Sequence, residues 1–290
     1  GEGEGEGEGE GEGEGEGGLP AGLRRALRQD GVPRAQWPLH RRRTFGYDAL
    51  RYGFEPALVA ALGAPLSALS ASAAALPPPP PALQHALVCA GARLSREARK
   101  SGSEAWYKSE ARAAFMRAYL AFVRDEVLPR FDDGSGKIVY QAEPSVRVCL
   151  PSARATGGKA RCDADHFHQP GEISIWVPLT ACAAASGLHA AVQPGEAAPL
   201  VPLMPRVTPS HCSSWSGHRC RSGFVSSAAE ASSVSFDFRV IPWSIYREDR
   251  AAAKRSNHSL RLGGYYAVME RASVQGGQGA SEPGQTTGGT

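Results

Sequence analysis

The sequence predicts an α+β protein in which N-terminal helices pack on a strand-rich barrel or sandwich. Three observations point there. Apolar residues recur at helical spacing between Leu19 and Asp132. Beyond the turn Phe131-Asp132-Asp133-Gly134-Ser135-Gly136, short alternating segments separated by Pro and Gly take over. Helices first and strands later is the order expected of segregated layers rather than of βαβ units. Finally, the two ends of the chain carry nothing to bury, so the folded body lies between them.

Residues 1–17 are a Gly-Glu repeat, eight dipeptides from Gly1 to Glu16, and are expected to be disordered. The same holds for residues 271–290, which become a Gly/Gln/Ser/Thr tract from Ser273 on. Residues 18–132 form the helical region and 133–270 the strand domain. The hydrophobic share of 42% and charged share of 21% fit a globular body and exclude a chain disordered throughout. No Gly-X-Y or heptad pattern supports a collagen or a coiled coil.

Within the helical region, Asp48–Leu62 places Leu50, Phe54, Leu58 and Leu62 four apart, with Pro56 suggesting two short helices that meet there. Pro77–Pro81 predicts a rigid connector, and Leu83–Leu94 a further helix. The strongest helix is expected over Ser103–Leu128, with Ser103 near its cap and Pro129 as its stop. Its stripe of Trp106, Phe115, Tyr119, Phe122, Val123 and Val127 reads as core. Strands are expected at Ile138–Gln141, Ser145–Leu150, Ile173–Thr180, Gly187–Val192 and Ser232–Ile241. The last alternates Val234, Phe236, Phe238 and Val240 against Ser233, Ser235, Asp237 and Arg239.

Charge and cysteine usage narrow the function classes. The net charge of +3 conceals +11 once the acidic repeat is set aside. The bases are 27 Arg against 5 Lys in an Ala-, Gly- and Pro-rich chain, a bias that GC-rich coding produces without a ligand. No nucleic-acid partner is therefore expected, and the Arg41-Arg42-Arg43 run reads as a solvated loop. Six cysteines without CxxC spacing read as reduced thiols, and a cytoplasmic location is expected. The chain begins with Gly rather than Met, so targeting is unreadable. The longest uncharged stretch, Pro56–Ala92, is too rich in Pro, Ala and Ser to predict a membrane span. His40, His85 and His258 read as surface or helix-face residues, and His189 as a packing residue.

The densest polar cluster is Arg161-Cys162-Asp163-Ala164-Asp165-His166-Phe167-His168-Gln169-Pro170-Gly171-Glu172, ahead of the strand around Trp176. His166, His168 and Glu172, spaced His-x-His-x-x-x-Glu, can ligate a divalent metal as in a cupin-type protein; the same residues equally make a polar rim. Trp176 and Trp215 are expected to line the barrel.

This cluster, with Ser233-Val234-Ser235-Phe236-Asp237-Phe238-Arg239-Val240-Ile241-Pro242, Leu262-Gly263-Gly264-Tyr265-Tyr266 and the turn Gln193-Pro194-Gly195, resembles the family named after streptomycin-biosynthesis protein StrG. The resemblance covers about Lys137 to Met269. It implies a double-stranded β-helix (a jelly-roll, cupin-like barrel) of the non-haem Fe(II)/2-oxoglutarate dioxygenase type, which hydroxylates a small molecule. It further implies a His-x-Asp pair and a distal His for Fe(II), and an Arg for the 2-oxoglutarate carboxylate. Asp163 matches the carboxylate ligand. Arg161 stands where the first His belongs, Ser222 where the distal His belongs, Ser233 at the co-substrate Arg and Ala191 at a further acid. Ser235, Asp237 and Arg239 stay in register and are expected to border the pocket, Ser235 and Arg239 as cofactor-binding positions. Lost ligands on a kept scaffold predict a diverged pseudoenzyme with weak or no oxygenase activity, or a ligand-binding barrel. Arg161, two residues from Asp163, is expected to supply the positive charge that iron otherwise gives.

Overall fold

The computed structural model describes residues 18–62, 87–89, 106–149, 160–183, 187–204, 206–224, 233–248 and 260–272. Helix α1 (Ala21–Gln29) buries Leu23, Ala26 and Leu27, and a 3-10 turn follows at Arg34–His40. Strand β1 (Arg43–Gly46) interrupts the stretch expected to be helical, because its backbone pairs with a later strand. Helix α2 (Ala49–Tyr52) starts at the Asp48 carboxylate, which accepts the N–H of Leu50 at 3.0 Å and of Arg51 at 3.2 Å. It ends at Gly53, whose left-handed φ of 61° lets α3 (Phe54–Leu62) leave in a new direction. The two expected helices therefore exist, but they meet at Gly53. Pro56 lies in the first turn of α3, where it is tolerated.

Of the helix expected over Leu83–Leu94, residues Leu87–Cys89 form strand β2 instead, and the rest lies outside the described residues, as do Pro77–Pro81, residues 1–17 and 273–290, His85 and His258. Arg271, expected to begin the disordered tail, is tied down by its N–H to Gly136 O at 2.8 Å and its guanidinium to Asp132. The long helix starts later and runs further than expected. Ser109 Oγ accepts the N–H of Arg112 at 3.1 Å and opens α4 (Glu110–Phe122), whereas Ser103 is outside the described residues. Pro129 does not stop the helix. A π turn (Val123–Val127) re-phases the backbone so that the proline enters the first turn of α5 (Leu128–Phe131), where an absent N–H is tolerated.

The turn that follows is closed by its own carboxylates, with Asp132 Oδ1 accepting from Gly134 N–H at 3.0 Å and from Gly136 N–H at 2.8 Å. Strands β3 (Lys137–Gln141), β4 (Ser145–Cys149), β5 (Ile173–Pro178), β6 (Cys182–Ala183), β7 (Leu188–Ala191), β8 (Leu200–Pro202), β9 (Arg206–Val207), β10 (His211–Trp215), β11 (Ser222–Phe224), β12 (Ser233–Pro242) and β13 (Tyr266–Glu270) complete the chain. The main sheet runs β1-β10-β5-β12-β3-β13, with β4 also on β12 and β2 on β4. Every pairing in it is antiparallel except β2 with β4. A smaller sheet is ordered β11-β7-β8.

Strand β12 organises these layers. It is long enough to pair with β4 through residues 233–237, with β5 through 235–240 and with β3 through 240–242. Its alternation is the one expected from the sequence. Val234, Phe236, Phe238 and Val240 join Phe54, Phe115, Tyr119 and Phe122 in one core beneath the helices. Phe236 is edge-on to Phe115 at 5.4 Å and Phe238 to Tyr119 at 5.1 Å. Each such ring adds roughly 1.5–3 kcal/mol by burial. On the opposite face Val139, Trp176 and Ile241 share a second core with Leu188 and Ala190 of the small sheet. Helices α2–α5 cover one face of the large sheet, and the small sheet with α1 (Leu23 and Leu27) packs on the other, an α+β arrangement. Among the described residues no helix is long and apolar enough to cross a membrane.

Candidate functional site

The polar positions of β12 point away from the helices into the space before the small sheet, and they are buried there. Asp237 is 4% exposed and Ser235 2%. Ion pairs compensate this burial. The Arg147 guanidinium grips the Asp237 carboxylate with Nε on Oδ1 and, at 3.1 Å, Nη2 on Oδ2. Arg239 Nη1 adds a bond to Asp237 Oδ2 at 2.9 Å. Arg239 Nη2 then donates to Asp163 Oδ1 at 2.9 Å, while Ser174 Oγ donates to Asp163 Oδ2 at 2.8 Å. The chain Arg147–Asp237–Arg239–Asp163 alternates in charge and lies mostly out of water.

Register explains why these residues meet. Arg239 and Ser174 are direct partners across the β12–β5 ladder, so both present a donor to one spot. Asp163 is brought there by the segment before β5. Its N–H bonds to Gly217 O at 2.9 Å, and Ala164 N–H to His218 O at 3.1 Å. Gly217 itself packs so closely that a methyl group there would overlap Ser174 Oγ and Asp163 Oδ2. Burial works to raise the Asp163 carboxyl. The Arg239 charge, His168 and the two hydrogen bonds outweigh it and hold the group well below the usual carboxylate range.

A second buried cluster adjoins the first. Glu172 is fully buried, and Tyr266 OH donates to its Oε1 at 2.8 Å. His168 Nδ1 lies 3.0 Å from Oε1 and 2.9 Å from Oε2, with the directed bond to Oε1. Burial opposes charge on His168, but Glu172 and Asp163 together raise it above the ordinary histidine value. On the far side of Gly217, His218 Nε2 sits 3.6 Å from Asp30 Oδ2, and the same carboxylate is gripped by Arg219. Burial dominates at His218, depressing it to about 4 against the pull of Asp30.

The structure departs from the expected pairing of Arg161 with Asp163. Arg161 is exposed, and Arg239 holds the carboxylate. Arg239 was expected to border the pocket, and the β12–β5 register that sets it opposite Ser174 brings it onto Asp163. Arg161 and Ser222 nevertheless face one another in an antiparallel bridge, with Arg161 N–H to Ser222 O at 3.1 Å and Ser222 N–H to Arg161 O at 2.9 Å. Directly opposed residues project to the same side, so these two positions are juxtaposed. Ser233 is buried at the start of β12, Ala191 in β7, and Trp176 directly across the ladder from Asp237, edge-on to Phe224 at 6.5 Å.

His168 and Glu172 meet, whereas His166 is exposed. His40 is 1% exposed rather than a surface residue, and burial lowers it to about 3. His189 is buried with Nδ1 3.1 Å from Gly187 O, as a packing residue would be. The Arg41–Arg43 run is not freely solvated: Arg42 and Arg43 reach the carbonyls of Pro202 and Pro38. Four contributors escaped the sequence reading: Arg147, Ser174, Gly217 and Tyr266 as a donor. Of these, Tyr266 alone carried a signal, as part of the Gly-Gly-Tyr-Tyr match.

These residues do not fit an iron site. Asp163 has both oxygens engaged by protein donors, and a guanidinium at 161 has no lone pair to offer. Among the described residues no three His, Cys, Asp or Glu groups are arranged to hold a metal ion.

No family model matches the chain. Streptomycin biosynthesis protein StrG of Streptomyces griseus is 30% identical over 132 residues, 46% of this chain. The chain therefore spans 61% of that relative's length. Among solved structures, a non-heme monooxygenase, ThoJ, in its nickel complex aligns over 72% of this chain and 77% of its own, at 14% identity and a TM-score of 0.37. EvdMO1 aligns over 47% of this chain and 33% of its own, at 12% identity and a TM-score of 0.33. Structural likeness at this level bears on neither the fold nor the activity of this chain.

Proposed function

We propose that this chain is a StrG-like barrel of the non-haem dioxygenase type whose iron position has been rebuilt as a buried ion-pair network. In this reading the fold is a diverged double-stranded β-helix. Fe(II) and 2-oxoglutarate belong to the ancestral role, oxygenase turnover is weak or absent, and the cup retains a small-molecule ligand. The sequence similarity to StrG supports the ancestry. The observation that carries the loss of activity is the double engagement of Asp163 by Arg239 and Ser174.

The chemistry follows from charge. A dioxygenase carboxylate is held ionised by the metal it binds. Here Arg239, with its own charge reinforced by Asp163 and Asp237, performs that task permanently. A guanidinium offers no open coordination position and cannot exchange electrons, so neither oxygen nor an oxoacid can be activated at this point. What the network can do is hold Ser235, Trp176 and Asp237 rigidly around the cup.

The test is to purify the chain with Fe(II), add 2-oxoglutarate under air, and measure succinate and bound iron. The expected result is succinate no higher than for Asp163→Asn, with substoichiometric iron in both. Stoichiometric iron and succinate formation that are both lost in Asp163→Asn would overturn the reading.

A further inference from the structure

The Arg residues are not spread evenly along the chain. Residues 18–43 hold 7 of the 27 Arg in 26 of the 290 positions, far above their share of the length, against a single acid, Asp30. A compositional bias acts on the whole chain and does not gather them there. Nor does Asp30 offset them at the surface, because its carboxylate is buried and gripped by Arg219, which brings a further guanidinium.

These charges stand where the chain enters the fold. On α1, Arg25 and Arg28 lie three residues apart on the solvent face, opposite Leu23, Ala26 and Leu27, and both are exposed. A methyl group on Gly18 would touch the Arg41 guanidinium, so the residue to which the preceding segment is joined sits against a cation. Arg42 is exposed as well, its Nη2 donating to Pro202 O, a neutral acceptor that does not cancel its charge.

The preceding segment has the complementary charge. Residues 1–16 carry eight Glu and no base, and one residue separates them from Gly18. Sixteen residues span at most about 53 Å (roughly 3.3 Å each), whereas the nine residues of α1 cover only about 13 Å. Every Arg named above is therefore within reach. A short tether sets an effective concentration on the order of millimolar, so individually weak surface pairs suffice for occupancy.

We propose that the Gly-Glu repeat, residues 1–16, docks in cis as a polyanion on the basic face formed by Arg25 and Arg28 of α1 with Arg41 and Arg42. The contact is electrostatic and has no fixed register, since the eight carboxylates are equivalent. It neutralises the basic face within the molecule and leaves little charge there for other polyanions. The Asp163 network takes no part, so the inference is independent of whether that network is catalytic.

The experiment compares the full native chain with a repeat variant in which all eight acids, Glu2→Gln through Glu16→Gln, lose their charge. A fluorescein-labelled peptide of eight Gly-Glu dipeptides is titrated with each and followed by anisotropy, at low salt and in about 1 M NaCl, where screening cuts the reach of a charge to about 3 Å. The repeat variant should bind the peptide saturably at low salt and not at high salt. The native chain, its face already occupied, should bind it at least fivefold more weakly. Adding Arg25→Gln with Arg28→Gln to the repeat variant should weaken binding at least fivefold with the melting temperature unchanged. Arg117→Gln with Arg261→Gln removes the same charge at exposed positions elsewhere and should change binding less than twofold. If the Arg25 and Arg28 variant fails to fold, a spin label on the peptide decides, because it should broaden the amide signals of residues 21–29 and 41–42 before all others. Equal affinity of the native chain and the repeat variant, no saturable binding to the repeat variant, equal losses from the two Arg pairs, or broadening centred elsewhere would each overturn the assignment.

Discussion

At the scale of residues, the arrangement turns on one buried salt bridge with a partner that linear spacing did not reveal. Asp237 and Arg239 were legible as the polar face of an alternating strand, and Asp163 was singled out by the StrG resemblance. Their pairing was not legible. Separation along one strand says nothing about distance across a ladder, and Arg239 reaches Asp163 through the register that sets it opposite Ser174. Replacing Arg239 by Gln leaves Asp163 and Asp237 short of a cation in a buried setting. The expected loss is about 3–5 kcal/mol of unfolding free energy in urea, and removing Asp163 as well (Asp163→Asn) should cost less than the sum of the single losses.

The buried histidines give a pH signature. His218 titrates near 4 in the fold because burial disfavours its charge, against an ordinary value of about 6.5. Between those values the unfolded chain takes up the proton and the native one does not, so stability falls as pH drops from 6.5 toward 4. The span corresponds to on the order of 3 kcal/mol for His218, and His40, lowered to about 3, adds in the same direction. His168 has the opposite sign: its raised value contributes below pH 6.5 and is lost as pH rises through it. Urea melts at pH 7 and pH 5 should therefore show a shallower loss for His218→Gln than for the native chain. An unchanged slope would mean that this imidazole is already charged in the fold.

At the scale of elements, what could be read was whatever depends on local period, and what could not was whatever depends on a distant partner. The alternation of β12 and the aromatic stripe of α4 were both visible, and they meet as expected. Strand β1 and strand β2 were hidden in a region of helical texture, since their conformation is set by β10 and β4. Pro129 was misleading because a π turn upstream changes the phase at which a proline can be accepted. The same dependence on partners makes Gly217 a sensitive position. It lies outside the strands and has an ordinary backbone, so its need for glycine comes from the contact with Ser174 and Asp163 rather than from its dihedral angles. Gly217→Ala should cost about 1–3 kcal/mol, the usual range for overpacking. Ser174→Ala in the same chain should recover part of that loss, because it removes the hydroxyl that the methyl meets first. Thermal melts of the two single variants and the double variant check the coupling.

For the whole molecule, two propositions stand apart: that the scaffold descends from an iron enzyme, and that its centre is now closed by Arg239. They separate experimentally because positions 161 and 222 remain opposed across the chain. If closure by Arg239 matters, restoring imidazoles alone is insufficient. Arg161→His with Ser222→His should then bind Fe(II) poorly, since Asp163 keeps its guanidinium. Adding Arg239→Gln frees the carboxylate but leaves it unpaired, a loss that a divalent ion coordinated by Asp163 and the two introduced imidazoles would offset. The three-site variant should therefore show stoichiometric iron together with a melting temperature that rises with Fe(II) concentration, the linkage expected when a ligand binds the fold and not the unfolded chain. The native chain, whose charges are already balanced, should show no such rise. Full iron occupancy in the two-histidine variant with Arg239 intact would establish that the salt bridge is no barrier to the metal, and the proposed loss of activity would then rest on the replaced ligands alone.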